Sequence, residues 1–473
     1  MRLKYYYFIA LLFMITVFFI QGSVTFAEEK EYILKTSYFS QLKEEYQLHV
    51  RDSIPNENLY KIKVDTDVMN ELEDDSRVSS LIENRVVPAP IIRYPTLFLT
   101  QTTANRYWGY ESMSFPSHRD PMLEKVEVAV VDTGIDVDHP LLKDSIQGGY
   151  DATGDGDIED EHGHGTHVAG IIANHNPNIK IIPIKMLDKS GTGDVYSFLK
   201  GMYYAIEQEV DIINMSLGME TDIHLVRDVV QQAYRKGIIM VAASGNNGVA
   251  NLQYPANYPE VYAVGAYTAE EEVAEFSQYS ENLDFIAPGK EIWSSWNDGG
   301  YTYKSGTSMA APFISKAIAL LVSTNPHLSV QEVEEILIRS SEALPGSAGK
   351  SEIGHGKVNV EKALHHAKEM NPEITYFPER TNVSPKKIWN IKMSQPLGSA
   401  AFNHSGFKII DSNGKQLENK VLLNEQDNRI IQVLPPQEGY ESGEVYYLQI
   451  EKGLKAKNGE ISKSEVRMGF VIQ

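Results

Sequence analysis

No cysteine occurs anywhere in the 473 residues. Disulfides, thiolate metal sites and lipid attachment through sulfur are therefore excluded. Positive charge is also scarce: 43 Lys and Arg stand against 64 Asp and Glu, a formal net charge of −21 at pH 7. Nucleic-acid binding needs clustered cations to neutralise phosphates, so this balance argues against it. Acidity of this kind keeps an exported chain soluble. The C-terminal stretch Val466–Gln473 is too short and too polar to anchor in a membrane. Internal repeats and low-complexity tracts are missing as well.

The N-terminus reads as an address. Arg2 and Lys4 precede an apolar run from Tyr5 to Ile20, and a segment ending on the small residue Ala27 follows. That is the layout of a secretory signal peptide, with cleavage expected after Ala27. The run is short for a membrane span, which needs ~20 apolar residues. With 42% hydrophobic and 23% charged residues the remainder is globular, and its length calls for more than one domain.

Composition divides the chain into a signal peptide (1–27), a charged segment (28–100), a central domain (101–370) and a C-terminal domain (371–473). In the charged segment Leu59–Val64 reads as a strand, Val68–Leu72 as a helix and Ser79–Val87 as a closing strand. Its apolar content is low for an independent core. In the central domain the apolar runs Val128–Val131, Ile179–Leu187, Ile212–Leu217 and Ile238–Ala243 alternate with helical patterns at Tyr196–Gln208, Val226–Lys236 and Ser329–Ser340. Buried apolar strands separated by helices predict an α/β fold with a parallel sheet. Beyond Pro372 the period becomes two, as in Trp389, Ile391, Met393 and in Val466, Met468, Phe470, Ile472. Turn signals stand at Asp411–Gly414 and Lys457–Gly459. This predicts a small β-sandwich.

Three motifs carry chemistry. Asp132 ends an apolar strand in Val131-Asp132-Thr133-Gly134-Ile135-Asp136. His164 sits in His162-Gly163-His164-Gly165-Thr166-His167-Val168-Ala169-Gly170. Ser308 sits in Gly306-Thr307-Ser308-Met309-Ala310-Ala311-Pro312, at a helix start. Functional groups gather at the carboxyl ends of parallel strands, which is where Asp132, Ser216-Leu217-Gly218 and Gly245-Asn246 fall. A serine hydroxyl needs an imidazole to take its proton, and the imidazole needs a carboxylate to fix its tautomer. Asn246 can donate its amide to an oxyanion. Taken singly, Asp132 also reads as a strand-end carboxylate, Ser308 as a helix cap and Asn246 as a turn residue. His164 and His167 are three apart with Gly165 between them, which does not fit the His-Glu-x-x-His metal pattern.

Together and in this order the motifs resemble those of the subtilisin family of serine proteases, from about Trp108 to Ala363. Asn214-Met215-Ser216-Leu217-Gly218 and Gly354-His355-Gly356-Lys357-Val358-Asn359 share the likeness. The resemblance implies a subtilisin-like parallel sheet with helices on both faces. It implies that Asp132 orients, His164 acts as base and acid, and Ser308 attacks, while Asn246 and the Ser308 backbone N–H bind the oxyanion. It further implies that Gly191, Gly193, Ser216, Leu217 and Gly218 flank the substrate backbone. Val195 and Leu217 then line one pocket, and Gln253 lies near the floor of another. Polypeptides are the expected substrates. No cofactor is needed for the chemistry.

Calcium is treated separately. Many family members bind it in a loop after the catalytic histidine, but Asn174–Asn178 is too short for that loop, and Leu141 replaces a frequent aspartate ligand. Asp151, Asp155 and Asp157, spaced among glycines, suit structural Ca²⁺ and equally suit a solvated acidic loop. The segment 28–100 resembles the family's inhibitory prodomain, a small α+β unit, most clearly at Leu81–Val87. A cut is expected between Phe98 and Thr103. The C-terminal domain resembles an immunoglobulin-like module, which serves either cell-wall attachment or stability. The expected protein is a secreted endopeptidase of broad specificity that removes its own prodomain. A surface adhesion protein with an idle protease domain is the alternative, and the intact motifs speak against it.

Overall fold

The computed structural model describes residues 29–89, 106–116, 122–174, 176, 178–345, 349–397, 404–424 and 426–473. The expected signal peptide and the expected cut between Phe98 and Thr103 lie outside these residues. The chain divides into two compact units, one ending at Arg85 and the other beginning at Val86.

The first unit is a four-stranded sheet with two helices. Strands β1 (Lys30–Lys35), β2 (His49–Ile54), β3 (Leu59–Val64) and β4 (Ser80–Glu83) stand in the order β2-β3-β1-β4. Helices α1 (Phe39–Glu45) and α2 (Thr66–Glu73) supply Leu42 and Leu72 to a core with Leu34, Leu48, Ile62 and Val64. Asp65 caps α2 by accepting from the Val68 N–H at 2.9 Å, which explains why the helix starts there. The closing strand expected over Ser79–Val87 is two strands. β4 pairs with β1, the chain breaks at Asn84 and Arg85, and β5 (Val86–Pro88) pairs elsewhere.

The second unit is built on a nine-stranded sheet. Its strands are β6 (Val126–Asp132), β7 (Tyr150–Asp151), β8 (Ile179–Lys185), β10 (Ile212–Met215), β11 (Ile239–Ala243), β12 (Val261–Tyr267), β13 (Phe285–Pro288), β16 (Ser341–Glu342) and β17 (Lys357–Val358). The order is β16-β17-β13-β12-β11-β10-β6-β8-β7, and every pair is parallel except β16 with β17. Strands β10 and β11 are buried throughout, which is why their sequences are continuous apolar runs. A short strand β9 (Thr192–Asp194) and a hairpin of β14 (Ile292–Trp296) and β15 (Gly300–Lys304) complete this part.

Period two along β6 decides what faces what. Val128 and Val130 belong to the core that holds α4 (His164–Ala173) and α7 (Thr307–Thr324). The opposite face meets α5 (Val195–Glu207), where a Cβ on Gly201 would lie 2.7 Å from Ile184 and 3.9 Å from Val131. α6 (His224–Arg235) packs beside α5. Asp132 shares the parity of Val128 and Val130, so its carboxylate faces α4. α7 is mostly apolar and is buried as the central helix of this core, packed on α4, β10, β11, β12 and β13. α3 (Trp108–Ser112) lies against β13, and α8 (Val330–Arg339) and α9 (Val360–Glu369) pack on α7.

The C-terminal part has strands β18 (Ile374–Val383), β19 (Trp389–Lys392), β20 (Phe407–Asp411), β21 (Val421–Leu423), β22 (Ile430–Val433), β23 (Val445–Ile450) and β24 (Glu465–Ile472). They form two sheets, β18-β24-β23-β20 and β19-β22-β21. Phe407, Ile409, Val421, Ile431, Val433, Leu448 and Phe470 from both sheets share one core. The turn signal at Asp411–Gly414 is a turn, closed by the Gly414 N–H on Asp411 O with φ +83° at Gly414.

Candidate active site

Two neighbouring strands end at the site. Asn214 of β10 stands opposite Val130 of β6. Continuing that register by two residues sets Ser216 opposite Asp132, with strands ~4.8 Å apart. Asp132 holds His164, and Ser216 holds Ser308.

Asp132 is fully buried, and its Oδ1 lies 2.7 Å from His164 Nδ1. With Nδ1–H donating, Nε2 carries the lone pair. The approach depends on Gly165, where a Cβ would come 2.1 Å from Gly134 O and 3.1 Å from Asp132 Cβ. Behind this pair Asp160, also buried, gathers the start of α4. Its Oδ1 accepts from Thr133 Oγ1 (2.8 Å), His162 N–H (3.0 Å) and Gly163 N–H (2.7 Å). Its Oδ2 accepts from Thr166 N–H (2.8 Å) and Oγ1 (2.7 Å). Burial alone would lower the basicity of His164. The charge and hydrogen bond of Asp132, with the charge of Asp160, outweigh it and hold the imidazole above its ordinary value. His167 turns the other way, with Nε2 at 3.1 Å from Ile292 O and 3.2 Å from Thr302 O. Burial pushes it down to about 3, so it is neutral and shares no site with His164.

Ser308 is the second residue of α7, and its Oγ donates to Ser216 O at 3.3 Å rather than to His164. A serine chain runs beneath it. Ser315 Oγ donates to Asn214 Oδ1 (2.8 Å), Asn214 Nδ2 to Ser216 Oγ (3.0 Å), and Ser216 Oγ to Ser308 O (2.9 Å). Asn246 accepts at Oδ1 from Thr307 N–H (2.9 Å) and Oγ1 (3.0 Å), which fixes which way its amide points. Asn246 Nδ2 is buried without a partner among the described residues. A Cβ on Gly306 would fall 3.3 Å from that nitrogen and 3.7 Å from the Ser308 backbone N, so both donors border the space that glycine leaves open.

The cleft beside them already holds a peptide. β5 lies antiparallel to β9, with Val86 opposite Asp194, Val87 opposite Gly193 and Pro88 opposite Thr192, and the Ala89 N–H donates to Gly191 O at 2.6 Å. Val87 is fully buried and Ala89 nearly so, while Val86 and Pro88 are exposed, as alternation in a strand requires. Gly191 borders His162, whose Nε2 would be 3.0 Å from a Cβ there, so the added strand runs toward the imidazoles. Val195 and Leu217 are fully buried. Gln253 lies against both Gly218 and Gly245, where Cβ atoms would approach it to 2.2 Å and 3.1 Å.

The carboxylates of the acidic loop have partners within the protein. Asp151 spends its oxygens on its own turn, accepting from Thr153 N–H (2.9 Å) and Oγ1 (2.6 Å), Gly154 N–H (3.2 Å) and Gly156 N–H (2.7 Å). Asp155 and Asp157 face the ammonium of Lys185, at 3.8 and 3.5 Å, whose side chain is buried. Among the described residues no group of three or more His, Cys, Asp or Glu that could hold a metal ion is formed. A lysine charge faces the loop, and its position about thirty residues downstream hides it from motif reading.

Asp160 and Ser315 were not singled out by sequence, and Thr307 and Asn214 entered only inside quoted motifs, without a role of their own. Asp160 had a signal, four residues before His164. Thr307 and Ser315 are ordinary polar residues whose partners lie far along the chain.

Known proteins share this region. The Subtilase family model matches residues 124–356. The chain is 39% identical over 258 residues to the major intracellular serine protease of Bacillus subtilis (strain 168), covering 49% of this chain and 80% of that relative. It is 37% identical over 251 residues to subtilisin DY of Bacillus licheniformis, covering 50% of this chain and 90% of the relative. It is 39% identical over 248 residues to the minor extracellular protease Epr of Bacillus subtilis (strain 168), covering 50% of this chain and 38% of the relative.

Proposed function

The chain belongs to the subtilase family of serine endopeptidases, and on that premise we propose that Asp132, His164 and Ser308 are its catalytic triad. The observation that carries this is the buried 2.7 Å contact of His164 Nδ1 with Asp132 Oδ1, which leaves Nε2 free to act as base. Ser308 Oγ turns from Ser216 O to His164 when substrate binds, since such contacts tighten only in the complex. His164 takes the hydroxyl proton as Oγ attacks the peptide carbonyl. Asn246 Nδ2 and the Ser308 N–H receive the oxyanion. The protonated His164 gives its proton to the departing amine, and an ester on Ser308 remains. Water, deprotonated by His164, then hydrolyses that ester and restores the hydroxyl.

The substrate is a polypeptide that adds a strand to β9 on one side and to Ser216–Gly218 on the other. Backbone pairing carries most of this binding, which supports broad specificity. The segment 28–100 is the enzyme's own inhibitory prodomain, and the seating of its Val86–Pro88 strand on β9 supports this reading. Arg2, Lys4 and the apolar run to Ile20 support export. The C-terminal sandwich is an immunoglobulin-like module for wall attachment or stability.

The test is expression of residues 28–473 as parent and as Ser308→Ala, followed by casein hydrolysis and sequencing of the product's N-terminus. Casein hydrolysis and a new N-terminus in the parent only are expected. Equal activity in both proteins would remove Ser308 from the mechanism.

A further inference from the structure

The two reacting side chains start two helices that pack together, His164 on α4 and Ser308 on α7. Their N-terminal ends are fixed by the site itself. The far end of α4 poses a separate problem, because a helix leaves its last carbonyls without backbone partners. α4 is buried along its whole length, and Asn174 turns the chain away at once with φ +32°. The carbonyls of Ile171 and Ile172 lie in this buried last turn.

Side chains from two other elements serve them. Tyr110 of α3 donates its hydroxyl to Ile171 O at 2.9 Å. Lys316 of α7 donates Nζ to Ile172 O at 2.9 Å and to Ala173 O at 3.2 Å. Lys316 is only 5% exposed, and its ammonium lies 5.8 Å from the Tyr110 ring centroid. The placement is symmetric. Lys316 stands eight residues after Ser308, and Ile172 eight after His164. Each is ~12 Å down its helix from the reacting residue. Lys316, midway along α7, thus ties that helix to the far end of α4, while His164 and Ser308 stand at the two helix starts. A cation here also meets the negative end of the α4 dipole.

A lysine buried in the centre of a protein is a costly choice where apolar packing would do. We propose that Lys316, seconded by Tyr110, is a positioning residue of the proteolytic reaction, which fixes α4 against α7 and so sets His164 at proton-transfer distance from Ser308. This rests on the reading of His164 and Ser308 as base and nucleophile. A misplacement of ~1 Å at such a site costs up to about a hundredfold in rate, so a small tilt of α4 suffices to be measured.

The test compares Lys316→Met, which keeps length and loses the donor, with Tyr110→Phe, which loses one hydroxyl. Both are expressed as the full chain and assayed on a chromogenic peptide at 25 °C, with melting temperature measured alongside. Lys316→Met should lower kcat about tenfold and Tyr110→Phe about threefold, with KM within about twofold of the parent, since the cleft is untouched. A lower melting temperature with kcat unchanged in both variants would make the pair merely structural and overturn the proposal. If Lys316→Met does not fold, Tyr110→Phe decides by the same criterion. Ser308→Ala and His164→Ala run beside them. Activity in those controls would sink the triad reading, whereas full activity in Lys316→Met beside inactive controls would sink only the clamp.

Discussion

Thr307 holds Asn246 by its amide oxygen, donating its N–H at 2.9 Å and its hydroxyl at 3.0 Å to Oδ1. The residue that opens the nucleophile helix therefore aims the amide nitrogen into the space beside Ser308. A donor fixed before substrate arrives costs no reorganisation when negative charge develops, which is the condition for a large electrostatic effect.

Asn246→Ala should accordingly lose about 10²–10³ in kcat with KM little changed, a magnitude carried over from subtilisin. Thr307→Val keeps the N–H bond and loses the hydroxyl's bond to Asn246, along with the bond the hydroxyl accepts from the Gly245 N–H at 3.2 Å. It should cost about fivefold, the worth of roughly one hydrogen bond. Steady-state kinetics on a peptide substrate checks both. A change confined to KM would make Asn246 a binding residue.

The acid limb of activity follows from His164. The base must be neutral to accept the Ser308 proton, so activity falls as pH drops through the imidazole value. Burial lowers that value, but Asp132 and Asp160 raise it by more. The midpoint of kcat/KM on the acid side should lie above the ordinary ~6.5. A midpoint below 6 would show that burial prevails and that the carboxylates do not support the imidazolium.

Stability has a pH dependence of its own through Lys316. Burial pushes its ammonium from 10.5 down to about 7, and the titratable group facing it is Tyr110 of α3, while α4 presents carbonyls. Between those values the unfolded chain holds a proton that the folded chain does not, so stability rises with pH across the window. In a Ser308→Ala background, which prevents self-digestion, the lysine protein should gain about 2–3 kcal/mol over Lys316→Met between pH 6.5 and 9. Urea unfolding at the two pH values measures it. A constant gap would mean that the amine keeps its proton in the folded state.

Alternation along β5 makes a prediction about the prodomain. A peptide of residues 28–97 added to mature enzyme should inhibit competitively. Val87 is fully buried against the cleft, and Val86 is 67% exposed. Val87→Asp should weaken inhibition about 10- to 100-fold, the worth of one buried valine, and Val86→Asp should change it little. Equal effects from both substitutions would reject this register.

Sequence went far where chemistry is local. The ends of β6 and β10, the start of α4 and the start of α7 are each marked by a motif, and the helix expected at Ser329–Ser340 is α8, with its capping box at Ser329 and Glu332. It failed where structure depends on distant partners. Ser79–Val87 looks like one apolar strand, yet its two halves pair with β1 and β9, strands more than a hundred residues apart. The β14–β15 hairpin was missed although Asp298-Gly299 marks its turn; its aromatic residues stack on one another, as Trp293 does on Tyr301. Lys316 carries no local sign of its role, because the carbonyls it meets are more than 140 residues away.

The central claim is that Ser308 is a nucleophile activated by His164. Its most direct test is covalent labelling of the mature protein with a peptidyl sulfonyl or phosphonyl fluoride, followed by mass mapping. One adduct per molecule on the peptide carrying Ser308 is predicted, absent in Ser308→Ala and formed much more slowly in His164→Ala. A protein that digests casein while carrying no adduct on Ser308, or carrying it elsewhere, would contradict the account.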